Sequence, residues 1–160
     1  MAIAAVHSTF VATTPWLSDS ELAAWRSLEL MQLQLASELN RRLAPFDLSL
    51  QDYFVLAFLA DHDGRSRVTE LCRFLGFEKS RGSHHITRLV ARGLVVKEQC
   101  GDDRRVWWVS ITPTGRKLAA AAAPSHVADV RELFIDHATP AQLSAITKLA
   151  TRVSDYLADQ

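Results

Sequence analysis

Cysteine is scarce in this chain: Cys72 and Cys100 are the only two, and they form no C-x-x-C pair. A disulfide framework is therefore not expected, and a reducing cytoplasm is the simpler location. No run of about 18 apolar residues occurs, so no membrane span is expected. The first 15 residues, MAIAAVHSTFVATTP, lack a basic leader and read as a loose arm rather than a signal peptide. Also missing are G-x-S-x-G, a phosphate-binding loop and H-E-x-x-H, and any triad built from the six histidines would be arbitrary. An enzyme is not expected. His7, His62, His126 and His137 are scattered without metal-ligand spacing, so neither a metal nor a cofactor is expected.

Net charge is absent as well, with 18 Lys and Arg against 18 Asp and Glu. Alone, this argues against a nucleic-acid partner. The distribution along the 160 residues reverses the argument. Residues 65–117 hold 12 basic and 5 acidic side chains, whereas residues 1–64 hold 3 and 8, and residues 118–160 hold 3 and 5. A surplus confined to one segment is what phosphate neutralisation requires. The apolar share of 48% suits one globular domain.

Helical periodicity dominates outside that segment. Ser18 and Glu21 form a capping box ahead of Leu22, Trp25, Leu28, Met31, Leu35, Leu39 and Leu43, a stripe spaced by three or four that Pro45 ends. Ser49 and Asp52 open a second helix that stops at Asp63-Gly64. Arg65-Ser66-Arg67 is expected to be a short link. Thr112 caps a further helix with Pro113 in its first turn, and Pro124 is expected to kink or break it. Thr139 caps a last helix whose stripe is Leu143, Ile146, Leu149, Ala150, Val153 and Leu157. The terminal stripes are too long for a small core to cover, so they are expected to pair two chains about a two-fold axis.

Between these lies the basic segment. VTELCRFL (68–75), the turn GFE (76–78) and KSRGSHHITRLVAR (79–92) read as a helix-turn-helix. VVKEQC (95–100), a turn at GDDRR and VWWVSI (106–111) read as a β-hairpin wing. On a helical wheel, Ile86, Leu89, Val90 and Leu94 fall inward, one turn beyond Gly82. Ser80, Arg81, Ser83, His84, Thr87 and Arg88 fall outward, a face of donors without negative charge. The fold class is mainly α with a small β-hairpin wing: a winged helix-turn-helix domain plus N- and C-terminal dimerisation helices.

The stretch LGFEKSRGSHHITRLVARGLV followed by DDRRVWWVSITPTG resembles the MarR family of winged-helix transcription regulators. The wing fits D-x-R-x-x-x-V-x-L-T-x-x-G through Asp103, Arg105, Val109, Ile111, Thr112 and Gly115, with Ile in place of Leu. The layout from about Ser18 to Leu157 follows the family. The chain departs from it at Glu78, where a Ser or Thr cap is usual, at Gly82, where a larger apolar residue is common, and at His84-His85. The resemblance implies a homodimeric repressor of duplex DNA, often released by a small ligand. With the arm read as flexible over 1–17, a single domain is expected at 18–160, with the winged lobe at about 46–112 and dimerisation helices at about 18–45 and 113–158.

The expected DNA contacts are Lys79, Ser80, Arg81, Ser83, His84, His85, Thr87 and Arg88 on the recognition helix, with one of the paired histidines, His85, turned sideways into the protein. On the wing they are Asp103, Arg104 and Arg105, the family pattern making Arg105 the minor-groove residue and Asp103 its orienting partner. The alternative for the wing is a set of exposed ion pairs among the same residues. For an effector such as an aromatic acid, Trp16, Trp25, Arg26 and His62 supply aromatic walls and a cation. Two other roles stay open: a winged helix used for protein contacts, and a redox-responsive regulator using Cys100 near the wing. Cys72 reads as packing.

Overall fold

The computed structural model describes residues 16–100 and 105–159. The chain divides into two compact units, Met1–Gln34 and Leu35–Gln160.

The first unit consists, among the described residues, of a short lead and the start of helix α1 (Asp19–Leu43). Ser18 begins the helix as a reciprocal cap: its backbone N–H donates to Glu21 Oε2 at 2.7 Å, and the Glu21 N–H donates to Ser18 Oγ at 3.3 Å. Leu30 and Leu33 stand 56% and 71% exposed, so the apolar stripe lies open along this unit.

In the second unit α1 ends at Leu43, and a 3-10 turn, Ala44–Phe46, carries Pro45. Helix α2 (Leu50–Asp61) starts from a capping box in which Ser49 Oγ accepts the Asp52 N–H and Asp52 Oδ2 accepts the Ser49 N–H, both at 3.0 Å. Asn40 ties the two helices together, taking the Leu50 N–H at 2.8 Å while its own amide donates to Ala36 O. Asp63 and Gly64, both at positive φ, turn the chain out of α2.

The link at 65–67 is a strand. β1 (Arg65–Arg67) pairs antiparallel with β3 (Trp107–Ile111), which also pairs with β2 (Val95–Gln99), giving the order β1-β3-β2. Ser66 faces the protein and is buried, while Arg65 and Arg67 face out. Between β1 and β2 lie α3 (Val68–Phe74) and α4 (Lys79–Ala91). Their turn passes through Gly76 at φ 62°, a left-handed position.

The core gathers the inner faces of these elements: Leu43, Val55, Leu56, Leu59, Leu71, Ile86, Leu89, Val95 and Val109 are all at most 1% exposed. At about 25 cal/mol per Å² of apolar surface, side chains of this size each contribute about 1.5–3 kcal/mol when fully buried. Val90 is not among them. It stands 39% exposed, which corrects its inward assignment: the stripe of α4 narrows in its last turn to Leu89.

Helix α5 (Pro113–Leu133) begins under the wing. Thr112 Oγ1 accepts the Gly115 N–H at 3.0 Å and lies 2.8 Å from Gly93 O and 3.0 Å from Leu94 O, joining cap and sheet. A Cβ at Gly115 would sit 2.1 Å from Leu94 O, so the first turn of α5 approaches the backbone too closely for any side chain. Of the kink or break expected at Pro124, the break does not occur: α5 runs through it as one helix. The buried face Gly115, Ala119, Ala122 and His126 continues across it, and tertiary packing holds both halves in one helix. A 3-10 turn, Ile135–His137, leads to α6 (Pro140–Ala158), which buries none of its residues. Arg42 joins the end of α1 to α5 through Asp129 at 2.8 Å and a two-pronged grip on Glu132.

Among the described residues, no single helix is long and apolar enough to cross a membrane.

Candidate nucleic-acid interface

Helix α4 presents the surface. Glu78, its N-cap, makes no side-chain capping bond, so the first N–H groups of α4 lack the usual hydroxyl partner. Lys79, Ser80, Arg81, His84, Thr87 and Arg88 are exposed and Ser83 is half-buried. Six of these form the outward face that the wheel placed there, and Lys79 joins them at the start of the helix. The Arg81 guanidinium lies over the Phe77 ring at 4.5 Å, a contact that orients its donors. Thr87 donates its hydroxyl to Ser83 O at 2.9 Å, leaving oxygen lone pairs for an external donor.

His85 leaves the group. It is 2% exposed, so it cannot meet DNA as a surface contact, and the sideways placement is the one that holds. Its Nε2 lies 3.1 Å from Asp52 Oδ1 on α2, and its Nδ1 lies 2.9 Å from an Arg88 guanidinium nitrogen. Arg92, at the end of α4, reaches Asp52 Oδ2 at 3.1 Å and also bonds the Asp47 backbone carbonyl and carboxylate. Burial raises the Asp52 carboxyl, but bonding to His85 and to Ser49 outweighs it and holds the group well below the usual carboxylate range. Asp52 is thus an ionised anchor that fixes α4 against the start of α2. Sequence reasoning read Asp52 only as a cap, because its other partners lie some 33 and 40 residues away.

Gly82 shows why α4 sits so close to α3. A Cβ built there would fall 2.2 Å from Cys72 Sγ. Cys72 is 7% exposed, and burial pushes its thiol up, so it is a neutral packing group. The departure at Gly82 and the cysteine are therefore one feature.

On the wing, Arg105 is exposed, whereas Asp103 and Arg104 lie outside the described residues. The sheet adds cations that the sequence did not single out. Arg65 and Arg67 lie 4.3 and 5.5 Å from the centroid of Trp108, and Lys97 lies 4.7 Å from that of Trp107. A cleft of about 410 Å³ between α3, the turn and the wing brings together Arg67, Arg73, Lys79 and Arg105 over Phe77 and Trp107, with no carboxylate in its lining. The signal for Arg65, Arg67 and Arg73 was the local charge surplus, not any motif.

The residues expected at an effector site fall in different units. Trp16 and Trp25 are 55% and 52% exposed and Arg26 is exposed in the first unit. In the second, His62 stacks on Phe58 with centroids 4.0 Å apart. Cys100 is half-buried. Among the described residues, no three His, Cys, Asp or Glu side chains cluster as a metal would need.

Helix, turn, helix and wing, with cations gathered on one side, define a winged helix-turn-helix lobe between longer helices. The MarR family model matches residues 46–106, from the end of the 3-10 turn to the start of β3. AbsC, a MarR family transcriptional regulator from Streptomyces coelicolor, is 36% identical; the match covers 92% of this chain and 100% of that one, with a TM-score of 0.84. Sco3205, a MarR family regulator from the same organism solved in complex with DNA, is 30% identical over 92% and 93% of the two chains, also at 0.84. BldR, a transcriptional regulator from Sulfolobus solfataricus, is 25% identical over 84% and 96%, at 0.72. No curated protein sequence matches significantly. The chain belongs to the MarR family of transcriptional regulators.

Proposed function

We propose that two copies of this chain bind a pseudo-palindromic operator in duplex DNA and repress transcription, and that a small ligand of the aromatic-acid type releases them. The observation that carries the DNA reading is the outward face of α4: Lys79, Ser80, Arg81, Ser83, His84, Thr87 and Arg88, all donors or neutral groups, on a helix anchored from behind by Asp52. Arg81 and Arg88 suit guanine O6 and N7, each worth about 1–3 kcal/mol of discrimination. The complex of Sco3205 with DNA supports the same use of this fold here. Lobe 46–112 reads the DNA. Helices 18–45 and 113–158 form the pairing region, which the open apolar faces support: Leu30 and Leu33 on α1, and separately Leu149, Val153 and Leu157 on α6.

Pairing sets two recognition helices about 34–36 Å apart, one turn of B-DNA. The test is binding at physiological salt to a duplex with such a repeat and to a scrambled duplex. Tighter binding to the repeat is expected; equal affinity contradicts sequence reading.

Arg105 is the wing residue proposed to enter the minor groove. Arg105→Ala is expected to weaken operator binding about tenfold or more, with the oligomeric state unchanged. Gel filtration and fluorescence anisotropy on the variant check both, and loss of the dimer would contradict the wing assignment. A titration of tryptophan fluorescence with aromatic acids tests the effector; a flat response across the panel contradicts it.

A further inference from the structure

The contact between His85 and Arg88 carries a consequence for DNA reading, and it rests on the proposed role of Arg88. An arginine guanidinium only donates. With Arg88 2.9 Å from Nδ1, that nitrogen must accept, so the single proton of the ring sits on Nε2, the nitrogen that lies 3.1 Å from Asp52 Oδ1. This arrangement is possible only for neutral imidazole. A proton from solvent entering at Nδ1 makes both ring nitrogens donors. Nδ1–H would then face the N–H of Arg88, cation against cation, while the pairing of the ring with Asp52 strengthens.

We propose that His85 is a proton-sensitive positioning residue for Arg88: neutral, it parks the Arg88 guanidinium against the protein; protonated, it releases that guanidinium to the DNA face. The fold gives the ring few other choices. On α2 the group facing it is Asp52, already ionised and shared with Arg92. On its own helix it is Arg88. The turn before α4 offers the edge of Phe77, with centroids 5.7 Å apart. On α3 the neutral Cys72 packs at Gly82, and on β2 Lys97 is turned over Trp107. Only Arg88 can leave, because it is on the exposed side of the ring.

The test compares operator affinity from about pH 8 to about pH 6, the range in which histidine charges. His85→Gln keeps an acceptor for Arg88 in its amide oxygen and a donor beside Asp52 in its amide nitrogen, but cannot take the proton. Wild type is expected to tighten on acidification about tenfold more than H85Q, the worth of one arginine contact. His84 is present in both chains and cancels in the comparison. In an R88A background the two profiles should coincide. Identical profiles for wild type and H85Q, or a persisting difference without Arg88, overturn the proposal. Imidazole ¹⁵N shifts of the wild-type chain, recorded at high pH without DNA, give an independent readout. An Nε2–H ring with bare Nδ1 is expected, and an Nδ1–H ring overturns the proposal even if H85Q fails to fold. Failure of the DNA reading looks different: no duplex bound at any pH, whatever the tautomer.

Discussion

Glutamate at both Leu149 and Val153 is expected to leave the chain monomeric and to weaken its hold on a two-half-site operator about a hundredfold or more. Helix α6 runs from Pro140 to Ala158 and buries none of its own residues. Ile146, Leu149, Val153 and Tyr156, spaced by three and four, stand 43%, 56%, 49% and 65% exposed. In a lone chain, carboxylates at 149 and 153 would remain in water and cost the fold little. Buried between two chains they would be like charges without partners, each costing several kcal/mol. Pairing is therefore expected to give way before the fold does. Loss of pairing then removes the intramolecular second contact, whose effective concentration multiplies affinity by about 10²–10⁴. Sedimentation equilibrium with circular dichroism, followed by anisotropy on the operator, separates these steps. A helical variant that remains a dimer would show that α6 is not the pairing face.

Gly82→Ala is expected to lower stability by about 1–3 kcal/mol and to weaken DNA binding with it. The direction is informative, because alanine is the better helix former by about 1 kcal/mol and would stabilise an unobstructed helix. The new methyl would instead meet Cys72 Sγ at 2.2 Å, inside the contact between α3 and α4. Its distance to Cys72 Cβ is 3.5 Å, an ordinary contact, so removing only the sulfur makes room. Cys72→Ala combined with Gly82→Ala should recover most of the loss, a coupling that a urea-unfolding double-mutant cycle measures directly. A more stable G82A single variant, or a double variant no better than G82A, would contradict the packing. Helix α4 would then be free of the constraint that sets its distance from α3.

Much of this architecture was legible because its causes are local. Ser18, Ser49, Thr112 and Thr139 sit three residues before the backbone N–H or side chain that they pair with, so each helix start is readable from spacing. The outward face of α4 follows from its 3.6-residue period. Other features depend on partners far along the chain. Arg65–Arg67 has neither length nor alternation to mark a strand, and only β3, some forty residues on, makes it one. Pro124 has the local chemistry of a helix breaker, yet the buried line from Gly115 to His126 carries the helix through it. Gly82 is only a departure from the family pattern by sequence, and a close approach to Cys72 by structure. His85 is part of the basic segment by sequence and part of the Asp52 anchor by structure. Local rules thus recovered the elements and the exposed face of α4, while the supports behind that face are tertiary.

The most direct measurement is the mass and the salt dependence of the complex formed between the purified chain and a duplex carrying one inverted repeat. Two chains per duplex are predicted, with affinity falling about 10³–10⁵-fold between about 50 and 200 mM salt, as six to ten phosphate contacts require. One chain per duplex, or binding indifferent to salt, would contradict a paired cationic surface as the basis of recognition.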